Sequence, residues 1–160
     1  MRFTLSFRLF PVTSYLLFMA GCCCCGMSGT NFQGGGNWSP TPSPHIVNVR
    51  DDNFTSEVLQ SDKPTLVDFW APWCGPCRSV DPAFVAVAEE LHADVKFCRV
   101  NTDENQMTST KYQVWSIPTL ALFSDGELVD QHVGVPDGDI TQQTRDWVLQ
   151  HIETEDSAEQ

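Results

Sequence analysis

Thr65-Leu66-Val67-Asp68-Phe69-Trp70-Ala71-Pro72-Trp73-Cys74-Gly75-Pro76-Cys77-Arg78 is the stretch around which this 160-residue chain is organised. Its first half, Thr65 to Trp70, is an apolar run rich in β-branched and aromatic residues, and such a run predicts a strand. Beyond it, Val80, Phe84, Val85, Val87, Ala88 and Leu91 recur at spacings near three and four, which is one face of a helix. Cys74 and Cys77 therefore fall at a strand-to-helix turn. Two cysteines separated by two residues can close a disulfide ring with little backbone movement. At a helix N-terminus the unpaired backbone N–H groups and the helix dipole favour an anion. The thiolate is the nucleophile of disulfide exchange, and this position favours it.

Composition narrows the function classes. With 41% hydrophobic residues the chain can build one ordinary core, and a second folded domain is not expected. A formal net charge of −12 argues against nucleic-acid binding, which needs a basic footprint. Of the seven cysteines, Cys22 to Cys25 are consecutive, Cys74 and Cys77 form the CxxC, and Cys98 stands alone. No second CxxC or CxxH pair follows, so a zinc site at Cys74 and Cys77 is disfavoured and no metal is expected. His45, His92, His132 and His151 lie at no spacing that marks a ligand set or a triad.

Working back to the start, residues 1–21 carry Arg2 and Arg8 and then an apolar stretch from Leu9 to Ala20. That stretch is short for a transmembrane helix and suits the apolar part of an export signal. It runs into Met19-Ala20-Gly21-Cys22, which resembles a bacterial lipoprotein cleavage box. That resemblance implies that Cys22 becomes the lipid-bearing first residue of a membrane-anchored chain. The other reading is a start downstream, for example at Met27. The first reading puts the dithiol on the extracytoplasmic face of a membrane, the second in the cytoplasm. Residues 22–44, with Gly34-Gly35-Gly36 and Pro40, Pro42 and Pro44, read as a flexible tether. The folded domain is expected over 45–153, followed by an acidic tail, 154–160.

Within the domain, Ile46–Val49 predicts a strand, and Asp51 or Asp52 is expected to cap a helix ending at Leu59. Strands are expected at 65–70, 95–101 and 117–123. The helix after the CxxC is expected to bend at Pro82, which lacks an N–H. A short helix is expected over 104–111. Asp125-Gly126 is a hairpin signal leading into an edge strand, 127–133. A last helix is expected from about 139 to 152, burying Ile140, Trp147, Val148 and Ile152. The order βαβαβαββα predicts an α/β domain with helices on both faces of a mixed sheet.

Asp68 stands out in the first strand of the quoted stretch. Burying a carboxylate there is costly unless it is paired, and burial raises its pKa. It reads either as the acceptor of the Cys77 proton or as a satisfied core aspartate paired with Arg99. Cys98 reads as a small buried hydrophobe. Trp70 reads as core or as contact surface, and Trp73 as exposed.

From Ile46 to Ile152 the chain resembles a thioredoxin. The resemblance rests on Asp68-Phe69-Trp70, Trp73-Cys74-Gly75-Pro76-Cys77, Pro82, Asn101 with Asp103, Ile117-Pro118-Thr119, Gly126 and Gly134. It implies a thioredoxin fold with a central mixed five-stranded β-sheet flanked by helices. It implies a protein-disulfide reductase that serves thiol redox homeostasis and needs no cofactor beyond a redox-active Cys74–Cys77 disulfide. Cys74, expected to be exposed, would attack, Cys77, expected to be the less exposed sulfur, would resolve the mixed disulfide, and Asp68 would take its proton. Ile117–Pro118 would be a cis bond beside the dithiol, with Trp73, Gly75, Pro76, Ile117 and Pro118 forming the substrate surface. The partners implied are disulfide-bearing proteins and either a thioredoxin reductase or a membrane electron donor, with the chain a monomer. Arg99 stands where many family members carry lysine. The Gly75-Pro76 dipeptide resembles that of the reducing members. The leader suggests one rival, an extracytoplasmic oxidase, isomerase or cytochrome-maturation reductase. A second rival is a binding module that does not use its thiols.

Overall fold

The apolar run Thr65–Trp70 occupies the centre of a five-stranded sheet in the computed structural model, which describes residues 37–156. The leader, Cys22 with its neighbouring cysteines, most of the expected tether and the last four residues lie outside the described residues. The strands are β1 (Ile46–Val49), β2 (Thr65–Trp70), β3 (Lys96–Asn101), β4 (Thr119–Ser124) and β5 (Glu127–Val133). The helices are α1 (Gly75–Leu91), α2 (Gln106–Lys111) and α3 (Ile140–Asp156), and a short π-helical segment spans Thr55–Leu59. Spatial order is β1-β3-β2-β4-β5. β1, β3 and β2 run parallel, whereas β4 lies antiparallel to β2, and β5 antiparallel to β4. This is the mixed sheet the sequence predicts. Among the described residues no helix is long and apolar enough to cross a membrane.

Each face of the sheet carries its own core because strand side chains alternate. Leu66, Phe97, Leu120 and Leu122 pack against Val80, Phe84, Val87 and Leu91 of α1 and Val148 of α3. On the other face Val67, Phe69, Cys98, Val100, Ala121 and Phe123 pack against Phe54 and Val58, with Tyr112 and Val114 at the edge. All six residues of β2 are buried, as expected for a strand covered on both faces. Cys98 is fully buried, and burial pushes its thiol up to about 12.

Several local expectations shift. Asp51 does not cap the segment that follows it. Its carboxylate accepts from the Thr108 and Met107 N–H groups (2.9 and 3.3 Å) and so closes the start of α2, far along the chain. The first turn after β1 is instead held by Asn53, whose Oδ1 accepts from Arg50 N (2.7 Å). β4 begins at Thr119, after Pro118 rather than with Ile117. α3 continues to Asp156. The proline-rich segment before His45, expected within a flexible tether, lies against the domain. Trp38 packs edge-on to Trp70 with centroids 5.5 Å apart, and Thr41 bonds to Asp81 of α1. Both side chains and backbone of this strap reach the body of the domain, with Trp38 N donating to Pro72 O (3.4 Å) and Thr41 O accepting from Arg99.

The Asp125-Gly126 turn matches its sequence signal. Both residues have positive φ (50° and 80°) and directly join Ser124 and Glu127, which are paired. At Gly126 a Cβ would sit 2.9 Å from the Leu59 carbonyl oxygen. Gly126→Ala should therefore destabilise the fold by about 2 kcal/mol, combining backbone strain with a clash against backbone. Thermal unfolding beside Gly75→Ala, where a Cβ meets nothing within 4 Å, checks this, and an unchanged Tm for Gly126→Ala would contradict it.

Candidate active site

β2 ends at Trp70, and Ala71-Pro72-Trp73 turns the chain into α1. The turn is closed by Cys74 N donating to Ala71 O (3.0 Å). Cys74 has extended backbone angles and stands at the N-cap of α1, where its Sγ accepts from Cys77 N (3.1 Å). A sulfur thus takes the place usually held by a serine or aspartate oxygen. Pro76 sits in the first turn, where a missing N–H costs nothing. Cys74 and Cys77 are joined in a disulfide with Cα atoms 5.4 Å apart.

Sequence reasoning expected Cys77 to be the less exposed sulfur. Instead the two cysteines are equally covered, 2% and 3% exposed. They form one cluster with Trp70 and Ala71, and Trp38 of the strap and Ile117 pack against it. Position on the helix, not exposure, is what distinguishes them in the oxidised protein. Around this cluster Trp73, Gly75 and Pro76 are exposed. Trp73 is 67% exposed, and its Nε1 donates to both carboxylate oxygens of Asp103 (2.9 and 3.2 Å). The Ile117–Pro118 bond is cis. Ile117 touches the disulfide cluster, while Pro118 is buried and its carbonyl accepts from Gly134 N (2.8 Å). The structure thus gathers Cys74, Cys77 and Ile117, and Trp73, Gly75 and Pro76 adjoin them along the same turn.

Between the sheet and α1 lies a buried charge network. Asp68 of β2 is paired in register with Arg99 of β3, and the Arg99 Nε stands 3.6 Å from Asp68 Oδ2. The other end of the guanidinium meets a second buried carboxylate, with Arg99 Nη2 2.5 Å from Asp81 Oδ1. Arg99 Nη1 donates to the Thr41 carbonyl of the strap (2.8 Å). The guanidinium carbon also stands 5.2 Å from the centre of the Phe84 ring, the geometry of a cation–π contact. Among the described residues neither Asp68 Oδ1 nor Arg99 Nε has a hydrogen-bond partner. Burial pushes Asp68 up to about 7, against the pull of Arg99 and with a further push from the charge of Asp81.

The thioredoxin family model matches residues 45–146. A Pseudomonas aeruginosa protein named thioredoxin is 50% identical over 92 residues, covering 58% of this chain and 85% of its own. Thioredoxin 1 of a Nostoc species is 51% identical over 86 residues, covering 54% and 80%. Thioredoxin of Porphyra purpurea is 48% identical over 89 residues, covering 56% and 83%.

The chain belongs to the thioredoxin family. With its cysteines joined in the motif position, it is a protein-disulfide reductase. As for the family in general, its substrates are disulfide-bearing proteins and a reductase returns the electrons. The redox-active group of a thioredoxin is its own cysteine pair.

Two residues of the thioredoxin site network escaped sequence reasoning. Asp81 lies four residues after Cys77 and three before Phe84, on the apolar stripe of α1. A carboxylate on that stripe was a signal of the same kind as Asp68. Thr41 gave no signal, because nothing local marks which residue of an extended segment will meet a buried acid.

Asp68→Asn should stabilise the oxidised protein in a pH-dependent way. The folded chain holds the Asp68 proton up to about pH 7, whereas the unfolded chain loses it near 3.8. Stability of the wild type therefore falls as pH rises through that window, and the cost is complete above it. The gain in Tm from Asp68→Asn should be near zero at pH 4 and largest at pH 8. Equal gains at both pH values, or a loss at pH 8, would contradict this.

Proposed function

We propose that Cys74 is the attacking sulfur, Cys77 the resolving one and Asp68 the acceptor of the Cys77 proton. In the reduced chain the Cys74 thiolate attacks a substrate disulfide, forms a mixed disulfide and releases the first substrate thiolate. The Cys77 thiol then gives its proton to Asp68 and attacks Cys74 Sγ. The Cys74–Cys77 bond forms, the mixed disulfide breaks, and the second substrate thiolate leaves with the electron pair. Two electrons pass from the dithiol to the substrate, and the family's reductase partner returns them.

The observation that carries this assignment is the Cys77 N–H donating to Cys74 Sγ at the start of α1. A helix-terminal N–H aimed at a sulfur stabilises negative charge on it. Cys77 lies inside the helix, and its own N–H is the donor. The placing of Asp68 follows from alternation along β2. Leu66, Asp68 and Trp70 share a face, which α1 covers, and Trp70 belongs to the disulfide cluster. Cys77 and Asp81, four apart, are both buried on the covered side of α1.

The substrate surface in this reading is Trp73, Gly75, Pro76, Ile117 and Pro118. Trp73, its indole N–H bonded to Asp103 and its ring exposed, offers an apolar surface next to Cys74 in the chain. The backbone of Ile117, just ahead of β4, is suited to pair with an extended substrate segment as an added strand.

Single cysteine variants separate the roles. Cys74→Ser should abolish insulin reduction, whereas Cys77→Ser should accumulate a covalent mixed disulfide, visible on non-reducing gels and lost with dithiothreitol. Mixed-disulfide accumulation in Cys74→Ser rather than Cys77→Ser would reverse the assignment. Full activity of Cys74→Ser would mean that the thiols are not used at all.

A further inference from the structure

Arg99 is shared between two buried carboxylates, and the sharing is unequal. Asp81 Oδ1 is 2.5 Å from Nη2, while Asp68 Oδ2 is 3.6 Å from Nε. Asp81 is also fully supplied with donors. Thr41 N lies 3.2 Å from both of its oxygens, and Thr41 Oγ1 donates to Oδ2 (2.6 Å). The Thr41 carbonyl in turn accepts from Arg99 Nη1, so the strap clamps acid and base together. Asp68, equally buried, keeps one oxygen without a partner.

We propose that Asp81 is a positioning residue for the proton-transfer step: seated by Thr41, it commits the Arg99 guanidinium and holds it off Asp68, leaving Asp68 able to receive the Cys77 proton. This rests on the reading of Asp68 as proton acceptor. The physical reason is competition for one cation. A carboxylate bonded closely to a guanidinium stays ionised and is a poor base. One arginine cannot hold both acids this way, and the better-donated one wins. Asp81 adds a second effect, since its negative charge faces Asp68 from the far side of the guanidinium and disfavours a second anion there. Remove Asp81, and Nη2 becomes a buried donor without an acceptor, which is costly. The unpartnered oxygen of Asp68 is an acceptor within the same network.

The charged and titratable groups facing Asp68 are few. β3 presents Arg99 and α1 presents Asp81, with Cys77 one helical turn before Asp81 on the buried side of α1. β4 sets Leu120 opposite Asp68, and the strap contributes Thr41, neither of which titrates.

The test follows the Asp68 carboxyl carbon by 13C NMR in the oxidised full-length chain, with the resonance assigned from Asp68→Asn. In the wild type the midpoint should lie near 7. In Asp81→Asn it should fall by at least one pH unit, a tenfold or greater loss of proton affinity at Asp68. Asp81→Ala, which suits the helix and removes the charge, should move it the same way and serves if the amide variant folds poorly. An Asp68 midpoint that stays within about 0.3 unit, or rises, overturns the proposal, and a lowered Tm with no such shift makes Asp81 merely structural. The pH profile of insulin reduction is the second readout. Its acid limb should move down with the NMR midpoint. A shifted midpoint with an unmoved profile supports the role of Asp81 and overturns that of Asp68 as proton acceptor.

Discussion

One hydrogen bond, from the backbone N–H of Cys77 to the Sγ of Cys74, ties the fold of this chain to its chemistry. For it to form, an apolar strand must end and a helix begin within a few residues, with a cysteine at the cap position. β2 meets the first need because it is the central strand, buried on both faces and ending at Trp70. α1 meets the second through Pro76 in its first turn and an apolar stripe that docks it on the sheet. The sulfur then receives the N–H that a helix start leaves over. The sheet order β1-β3-β2-β4-β5 adds the remaining wall, since β4, beside β2, brings the Ile117–Pro118 corner to the same end.

Between the sheet and α1 the chain maintains a charge arrangement that would be unstable if any member stood alone. Two aspartates and one arginine, each under 5% exposed, can be buried together only because donors and acceptors are matched nearly throughout. The mismatch falls on Asp68 Oδ1 and the Arg99 Nε beside it, on the face of β2 that the cysteine-bearing helix covers. Asp81, which no redox chemistry requires directly, is the well-satisfied member. The strap enters here as well, since Thr41 supplies an N–H, a hydroxyl and a carbonyl to this network, and Trp38 covers the Trp70 ring beside the disulfide.

Much of this was legible from the residues because the deciding signals are local. A strand-like run followed by a helical stripe fixes the position of the CxxC, and Asp125-Gly126 has the backbone angles its turn type needs. A carboxylate inside an apolar strand announces a buried acid without saying what it pairs with. What stayed hidden depends on long-range partners. Asp51 bonds across 57 residues to Thr108 N, so its local reading as a helix cap failed. Thr41 meets Arg99 across 58 residues, and a proline-rich composition suggested only a flexible tether. The exposure of Cys74 was overestimated for the same reason, because Trp38 and Ile117 reach the disulfide cluster from distant parts of the chain.

The account stands on the claim that position at the helix start, not exposure, makes Cys74 the reactive sulfur. The most direct measurement is the rate of alkylation of each cysteine in the reduced full-length protein by iodoacetamide at pH 7, read by peptide mass mapping. Cys74 should be modified at least tenfold faster than Cys77 or Cys98, since a thiolate reacts and a thiol does not. Cys77 reacting as fast as Cys74, or faster, would contradict the account at its root.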